Sequence, residues 1–347
     1  MKPLATTILG AAVLAFAGTT GAPAANVEGP EVFWKWSVWG NPRAFTAGVE
    51  RLSERVAEET DGKFKIQIFY GEQLAKSKEN LDAIKNNAIE GAFFCNFYHP
   101  GKNPAFMVFS LPFIPLGDWE VSAYVRNKLL EHPALKADMD QWNAMTYVAT
   151  LLPQYEFLGI GEPPETLEDW KGLRVRAGGG IGDAMEVLGA TLQTVPASET
   201  YTLMQRGAVD AVSFPYTYAH VSYNIHELAD WFTANMSPGT SECPMIFNKT
   251  AFEALPPQYQ DLLMGLKDEV TQTMIDRYKS ADEKNLPMFE EGMTKVTYDD
   301  ATLEQFREVA GEPVWKQWVE DNKGKFDAQG VLDRSWELIE EARAQGM

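Results

Sequence analysis

Cysteine is almost absent from this chain of 347 residues, which holds only Cys95 and Cys243. Two cysteines cannot build a four-cysteine zinc site or a disulfide-stapled miniprotein. They allow at most one bridge in an oxidising compartment, and sequence leaves open whether they meet in space. Histidine is nearly as sparse: His99, His132, His220 and His226 are scattered, and none stands at ligand spacing with a cysteine. The chain has no G-x-S-x-G elbow, no G-x-x-x-x-G-K-[ST] phosphate loop and no H-E-x-x-H pair, so the common nucleophilic, nucleotide and zinc signatures fail. No metal and no cofactor is expected. Basic residues are in deficit, with 30 Lys and Arg against 49 Asp and Glu and a formal charge of -19. An acidic surface repels nucleic acid and anionic membranes, so neither is expected as a partner. An anionic ligand stays allowed, because a single buried arginine acts locally. Beyond the N-terminus no apolar run approaches the roughly 20 residues that span a bilayer.

What is present starts with an export signal. Met1-Lys2 precedes an apolar run from Leu4 to Ala17, and small residues end in Ala22-Pro23-Ala24-Ala25, an A-x-A-like cleavage site. Residues 1–25 therefore read as a signal peptide, with a periplasmic mature protein that is not inserted in the membrane. An uncleaved anchor is the alternative, and a lipoprotein anchor is excluded because no cysteine lies nearby. The remaining length exceeds what one core usually serves, so about two domains are expected.

Apolar spacing lays out the elements. Val32 to Trp36 reads as a strand, Phe45 to Thr60 as a helix with Val49, Leu52 and Val56 on one face, and Phe64 to Phe69 as a second strand. Ser77 is expected to cap a helix carrying Leu81, Ile84 and Ala88, before a strand at Gly91 to Phe94. This alternation is that of a doubly wound α/β lobe. After a strand at Met145 to Leu152 the pattern recurs: strand Leu173 to Arg176, helix Asp183 to Leu188, strand Thr194 to Pro196, helix Ser198 to Arg206, strand Ala211 to Phe214. Pro244 to Phe247 reads as a returning strand, Pro256 to about Asn285 as one long helix shared between lobes, and Leu303 to Ala344 as helical.

Arg176 stands out among polar residues. It ends an apolar strand just before Gly178-Gly179-Gly180-Ile181-Gly182, where open α/β sheets place ligands, and guanidinium grips a carboxylate bidentately. The competing reading is a surface arginine like Arg174. The glycines lack the last position of G-x-G-x-x-G and are either an anion-approaching turn or a flexible one.

Five segments occur together in order: Phe69 to Leu74, Leu111 to Ile114, Lys171 to Arg176, Gln205 to Ala211, and Phe247 to Lys249 with Leu255-Pro256. In this order they resemble the substrate-binding proteins of TRAP transporters, DctP type, over essentially the whole mature chain. The resemblance implies a two-lobed α/β clamshell with a hinge, with 26–152 plus 241–282 forming lobe I and 153–240 plus 283–347 forming lobe II. It implies a ligand in the interlobe cleft, with membrane subunits of the transporter as partners. It also implies that Arg176 pairs with the ligand carboxylate. Ser213-Phe214 stands where relatives often carry asparagine or Glu-Trp, which puts a bound cation in doubt. Gln154-Tyr155-Glu156 stands where some relatives carry a second arginine, so a monocarboxylate or sulfonate is expected rather than a dicarboxylate. The other candidate contacts are Trp39, Asn96, Phe97, Tyr155, Glu156, Ser213, Phe214, Tyr218 and Glu242. Aromatic residues are more often core than ligand contacts, and either use stays open here. An aromatic cage for a betaine-like or ectoine-like zwitterion, with Glu156 or Glu242 at its positive end, is the first alternative. An exported hydrolase or lyase using those carboxylates is the second.

Overall fold

The computed structural model describes residues 27–116 and 119–347, and the signal segment 1–25 lies outside them. The first lobe runs β1 (Val32–Ser37), α1 (Ala47–Glu59), β2 (Phe64–Phe69), α2 (Asn80–Lys85), β3 (Gly91–Phe93), α3 (Trp119–Leu130), α4 (Pro133–Asp140) and β4 (Ala144–Val148). The second runs β5 (Tyr155–Gly159), β6 (Arg174–Arg176), α5 (Gly179–Val187), β7 (Thr191–Gln193), α6 (Ala197–Gln205), β8 (Ala211–Pro215), α7 (Tyr218–Ser222) and β9 (Trp231–Thr233). The chain then returns through β10 (Met245–Asn248), α8 (Lys249–Glu253), α9 (Pro257–Gly265) and α10 (Lys267–Gly292). It ends with β11 (Thr294–Val296), α11 (Asp300–Phe306), a π-helical turn at Arg307–Gly311, α12 (Glu312–Asp321) and α13 (Ala328–Ala344).

Two sheets result, ordered β2-β1-β3-β10-β4 and β11-β9-β5-β8-β6-β7. In the first, β1 pairs in parallel with β2 and β3, while β10 runs antiparallel between β3 and β4. The apolar faces read from sequence are buried: Val49, Leu52 and Val56 of α1 lie against the sheet with Trp34, Trp36 and Phe64. The expected two-lobed α/β architecture is what the chain adopts.

Several elements differ from expectation for identifiable reasons. Ser77 does not cap α2, which starts at Asn80; its amide is instead held by the Glu72 carboxylate at 2.8 Å. The strand expected at Met145 to Leu152 stops at Val148, because Leu151 takes a left-handed φ of 49°. The helix expected from Asp183 starts at Gly179, so the glycines form its first turn, and the strand expected at Thr194 falls at Thr191–Gln193. The single helix expected from Pro256 divides at Gly265, a poor helix interior residue. The C-terminal segment does not belong to the second lobe alone, since α13 packs on α3 of the first.

Between the sheets the chain crosses at 149–154 and 234–244, and α10 packs on α1 in one lobe and on α7 and β11 in the other. One side chain ties the two crossings together. Arg126 of α3, fully buried, donates to Glu242 Oε2 at 2.8 Å, to the Leu152 carbonyl at 2.9 Å and to Thr240 Oγ1 at 3.0 Å. Glu242 Oε1 in turn accepts from the Thr150 amide at 2.8 Å. Left-handed backbone at Leu151 (φ 49°) and Ser237 (φ 43°) places strain in these same crossings. Removing one partner from a buried ion pair leaves a bare charge and costs about 3–5 kcal/mol. Arg126→Met is therefore expected to lower unfolding stability by about that amount in urea titrations, and Arg126→Met with Glu242→Leu to lower it by less. A double variant no more stable than Arg126→Met would contradict this reading of the crossing.

Candidate functional site

Where the two sheets face each other, strand ends converge on one cavity of about 30 Å3. Trp39, Arg43 and Phe45 come from the segment after β1, and Cys95, Phe97 and Tyr98 from the segment after β3. The crossings contribute Leu152 and Cys243, and the second lobe contributes Tyr155, Arg176, Ala197, Phe214, Tyr218 and Tyr223. Ligands of open α/β sheets collect at the carboxyl ends of parallel strands, and β1, β3, β6 and β8 all end here. The walls nearly touch, so admitting a ligand of even a few heavy atoms requires the lobes to part. A larger groove of about 630 Å3 beside α12 is lined by Met107, Asp183, Trp318 and Asp321 and contains no arginine.

Arg176 is 1% exposed at the end of β6. Its Nη1 donates to the Ser213 carbonyl at 2.9 Å and its Nη2 to the Val195 carbonyl at 2.8 Å, with Nε on the same carbonyl at 3.3 Å. The guanidinium stacks over Phe214 at 4.5 Å. No carboxylate pairs with it among the described residues. Beside it, the glycine segment serves the contact between lobes. A Cβ at Gly178 would stand 2.4 Å from the Phe97 ring, and one at Gly180 2.5 Å from the Ser110 carbonyl. Across the same seam, the Ala197 amide donates to the Tyr98 hydroxyl at 3.0 Å.

Six of the ten expected site residues line this cavity: Arg176, Phe214, Tyr155, Trp39, Phe97 and Tyr218. The other four stand behind or away from it. The Ser213 carbonyl holds Arg176. Asn96 donates to the Phe106 carbonyl at 2.9 Å and its Oδ1 accepts from the Phe97 amide at 2.9 Å, which fixes the loop that carries Phe97. Glu242 is committed to Arg126, and Glu156 to Thr233 and Ser237. The two carboxylates offered by sequence for acid-base work, or for a cationic ligand, thus point to structural partners. Sequence missed Arg43, Phe45, Leu152, Ala197, Tyr223 and the two cysteines as lining residues, while Tyr98 belongs to the run of aromatics that follows β3, beside Phe97. Arg43 had a signal, since it follows the first strand at the ligand-binding end. Cys95 and Cys243 form a disulfide between the segment leaving β3 and the one entering β10.

Among known proteins, the family model described as "Bacterial extracellular solute-binding protein, family 7" matches residues 37–322. A monocarboxylate 2-oxoacid-binding periplasmic protein of Nostoc sp. is 24% identical over 326 residues, covering 89% of each chain. A marine metagenome TRAP solute-binding protein specific for aromatic acid ligands, solved with 3-hydroxybenzoate, superposes with a TM-score of 0.81 at 20% identity, over 90% of this chain and 99% of that one. A TRAP solute-binding protein from Rhodoferax ferrireducens, solved with copurified benzoate, gives 0.80 at 18% identity, over 91% and 100%. At such identities the likeness to the two structures establishes the fold.

Glu156 carries an electrostatic signature of its position. Burial pushes its carboxyl from an ordinary value of 4.5 up to about 7, against the opposing pull of the Thr233 hydroxyl and of the Ser237 amide, which donates at 2.9 Å. The folded chain thus holds this proton more tightly than the unfolded chain. Its contribution to stability is full below the ordinary value and is lost as pH rises toward about 7. Glu156→Gln removes that loss, so its melting temperature is expected to gain on wild type between about pH 5 and about pH 8. Parallel melting curves across a pH series would contradict the assignment.

Proposed function

We infer the function from one premise: the chain belongs to family 7 of the bacterial extracellular solute-binding proteins, the DctP-type receptors of TRAP transporters. On that premise it is a periplasmic receptor that captures a small organic acid between its lobes and delivers it to the membrane subunits, without turnover. The finer reading is a monocarboxylate, or a sulfonate, gripped by Arg176. One observation carries it: the Arg176 guanidinium is 1% exposed and faces the cavity with no acid beside it. An unpaired charge inside a protein costs several kcal/mol, and a desolvated cation–π contact returns about 2 kcal/mol or somewhat more, offsetting only part of it. Two carbonyls and the Phe214 ring therefore leave room for an anion to act as the missing counter-charge. Three of the five guanidinium N–H groups are engaged, which leaves two for a carboxylate.

The mechanism follows from the crossings. With the lobes apart, the ligand anion meets Arg176; rotation about 149–154 and 234–244 then brings Phe97 and Tyr98 against the second lobe. Exclusion of water strengthens the ion pair, and the closed surface is what the transporter reads. A zwitterion is disfavoured because, among the described residues, no acidic side chain lines the cavity to meet its positive end. A hydrolase is disfavoured for the same reason, since Glu156 and Glu242 are both committed elsewhere. Among the described residues no helix is long and apolar enough to cross a membrane.

Wild-type protein titrated with small monocarboxylates is expected to melt several degrees higher, since ligand at about 100 times Kd stabilises by about 2.7 kcal/mol. Arg176→Gln should abolish every such shift while leaving the unliganded melting temperature unchanged or higher, because it removes an uncompensated buried charge. A variant that keeps its ligand shifts would refute the assignment.

A further inference from the structure

The cavity contains a second cation, and it comes from the opposite lobe. Arg43 lies in the segment between β1 and α1, where its Nη1 donates to the carbonyls of Trp39 and Asn41, both at 2.8 Å. Those bonds fix the side chain against the cavity mouth and leave its other N–H groups uncommitted. No carboxylate pairs with it among the described residues. Its guanidinium packs on Phe45 of its own lobe at 4.9 Å and on Tyr223 of the second lobe at 5.6 Å. Tyr223 in turn stacks on Phe214 at 5.3 Å, and Phe214 lies under Arg176 at 4.5 Å. The two guanidinium groups therefore sit at opposite ends of a Phe214–Tyr223 stack, with one face of the cavity running between them. The Tyr98 hydroxyl lies within the field of both: burial raises its pKa, and Arg176 and Arg43 each pull against that rise.

Two cationic ends joined by an aromatic wall, with no acid between them, specify a ligand with two polar ends. We propose that Arg43 is a specificity-determining residue of the ligand site. It takes a second oxygen acceptor of an organic acid whose carboxylate is held by Arg176 and whose flat apolar body lies along Phe214 and Tyr223. This rests on the receptor reading above and sharpens its ligand class to acids bearing a distal hydroxyl or oxo group; it also readmits a second carboxylate, set aside above for want of a second arginine, because Arg43 supplies one from the other lobe. It also supplies a reason for the lobes to close on such ligands. A ligand that engages both arginines bridges the lobes.

The test is isothermal titration calorimetry of the full mature chain with benzoate, 4-hydroxybenzoate and terephthalate. The wild type is expected to bind one or both two-ended acids at least about tenfold more tightly than benzoate, the range of a hydrogen bond to a charged group. Arg43→Gln should erase that preference while changing benzoate affinity by less than about threefold, whereas Arg176→Gln should lose all three acids. Arg43→Lys, which keeps the charge, should retain part of the preference and guards against misfolding of the neutral variant. Equal losses for benzoate and the two-ended acids in Arg43→Gln, or no wild-type preference, would overturn the role of Arg43 while leaving the receptor reading intact. Failure of the wild type to bind any of the three would overturn the flat-bodied ligand class and the role of Arg43, while the melting shifts with small monocarboxylates decide the receptor reading separately.

Discussion

A guanidinium without a counter-ion, sealed in the seam between two lobes, is the constraint around which this structure is arranged. Arg176 is held by two carbonyls and the Phe214 ring with no carboxylate beside it among the described residues, and the proposed function supplies the missing counter-charge from the ligand. The strand ends converge on it, the glycines at the start of α5 let Phe97 and Ser110 approach closely, and the lining is aromatic. The electrostatic demand sits in one lobe and much of the wall in the other. In the proposed function, binding and closure are therefore one event.

The hinge answers a different demand. Two crossing segments must bend, yet keep the lobes in register, and Arg126 with Glu242 joins them through a buried ion pair just behind the cavity. Leu152 and Cys243 belong to both arrangements: they flank the Arg126 contacts and line the cavity. The Cys95–Cys243 disulfide ties the loop that carries Phe97 to the second crossing.

Much of the fold was legible because it rests on local pattern. Period-two and period-3.6 apolar spacing located β1, α1, β2 and the Arg176 strand within a residue or two, and Arg176 itself was marked by its place at a strand end. What failed depends on direction. Glu156 and Glu242 sit close to the cleft in sequence, but Thr233, Ser237 and Arg126 turn their carboxylates elsewhere, and no spacing rule reports that. Arg43 was passed over because a loop arginine looks like any solvated charge until the second lobe brings Tyr223 against it. The strand β5 was missed because its residues are all buried and give no alternation.

The central claim is that an anion completes Arg176, and a crystal structure of the protein with its captured ligand tests it most directly. The account predicts a carboxylate or equivalent anionic oxygen within about 2.7–2.9 Å of an Arg176 nitrogen, inside the cavity walled by Phe97, Tyr98 and Phe214. A ligand held with its anionic group away from Arg176, or seated in the groove beside α12, would contradict it.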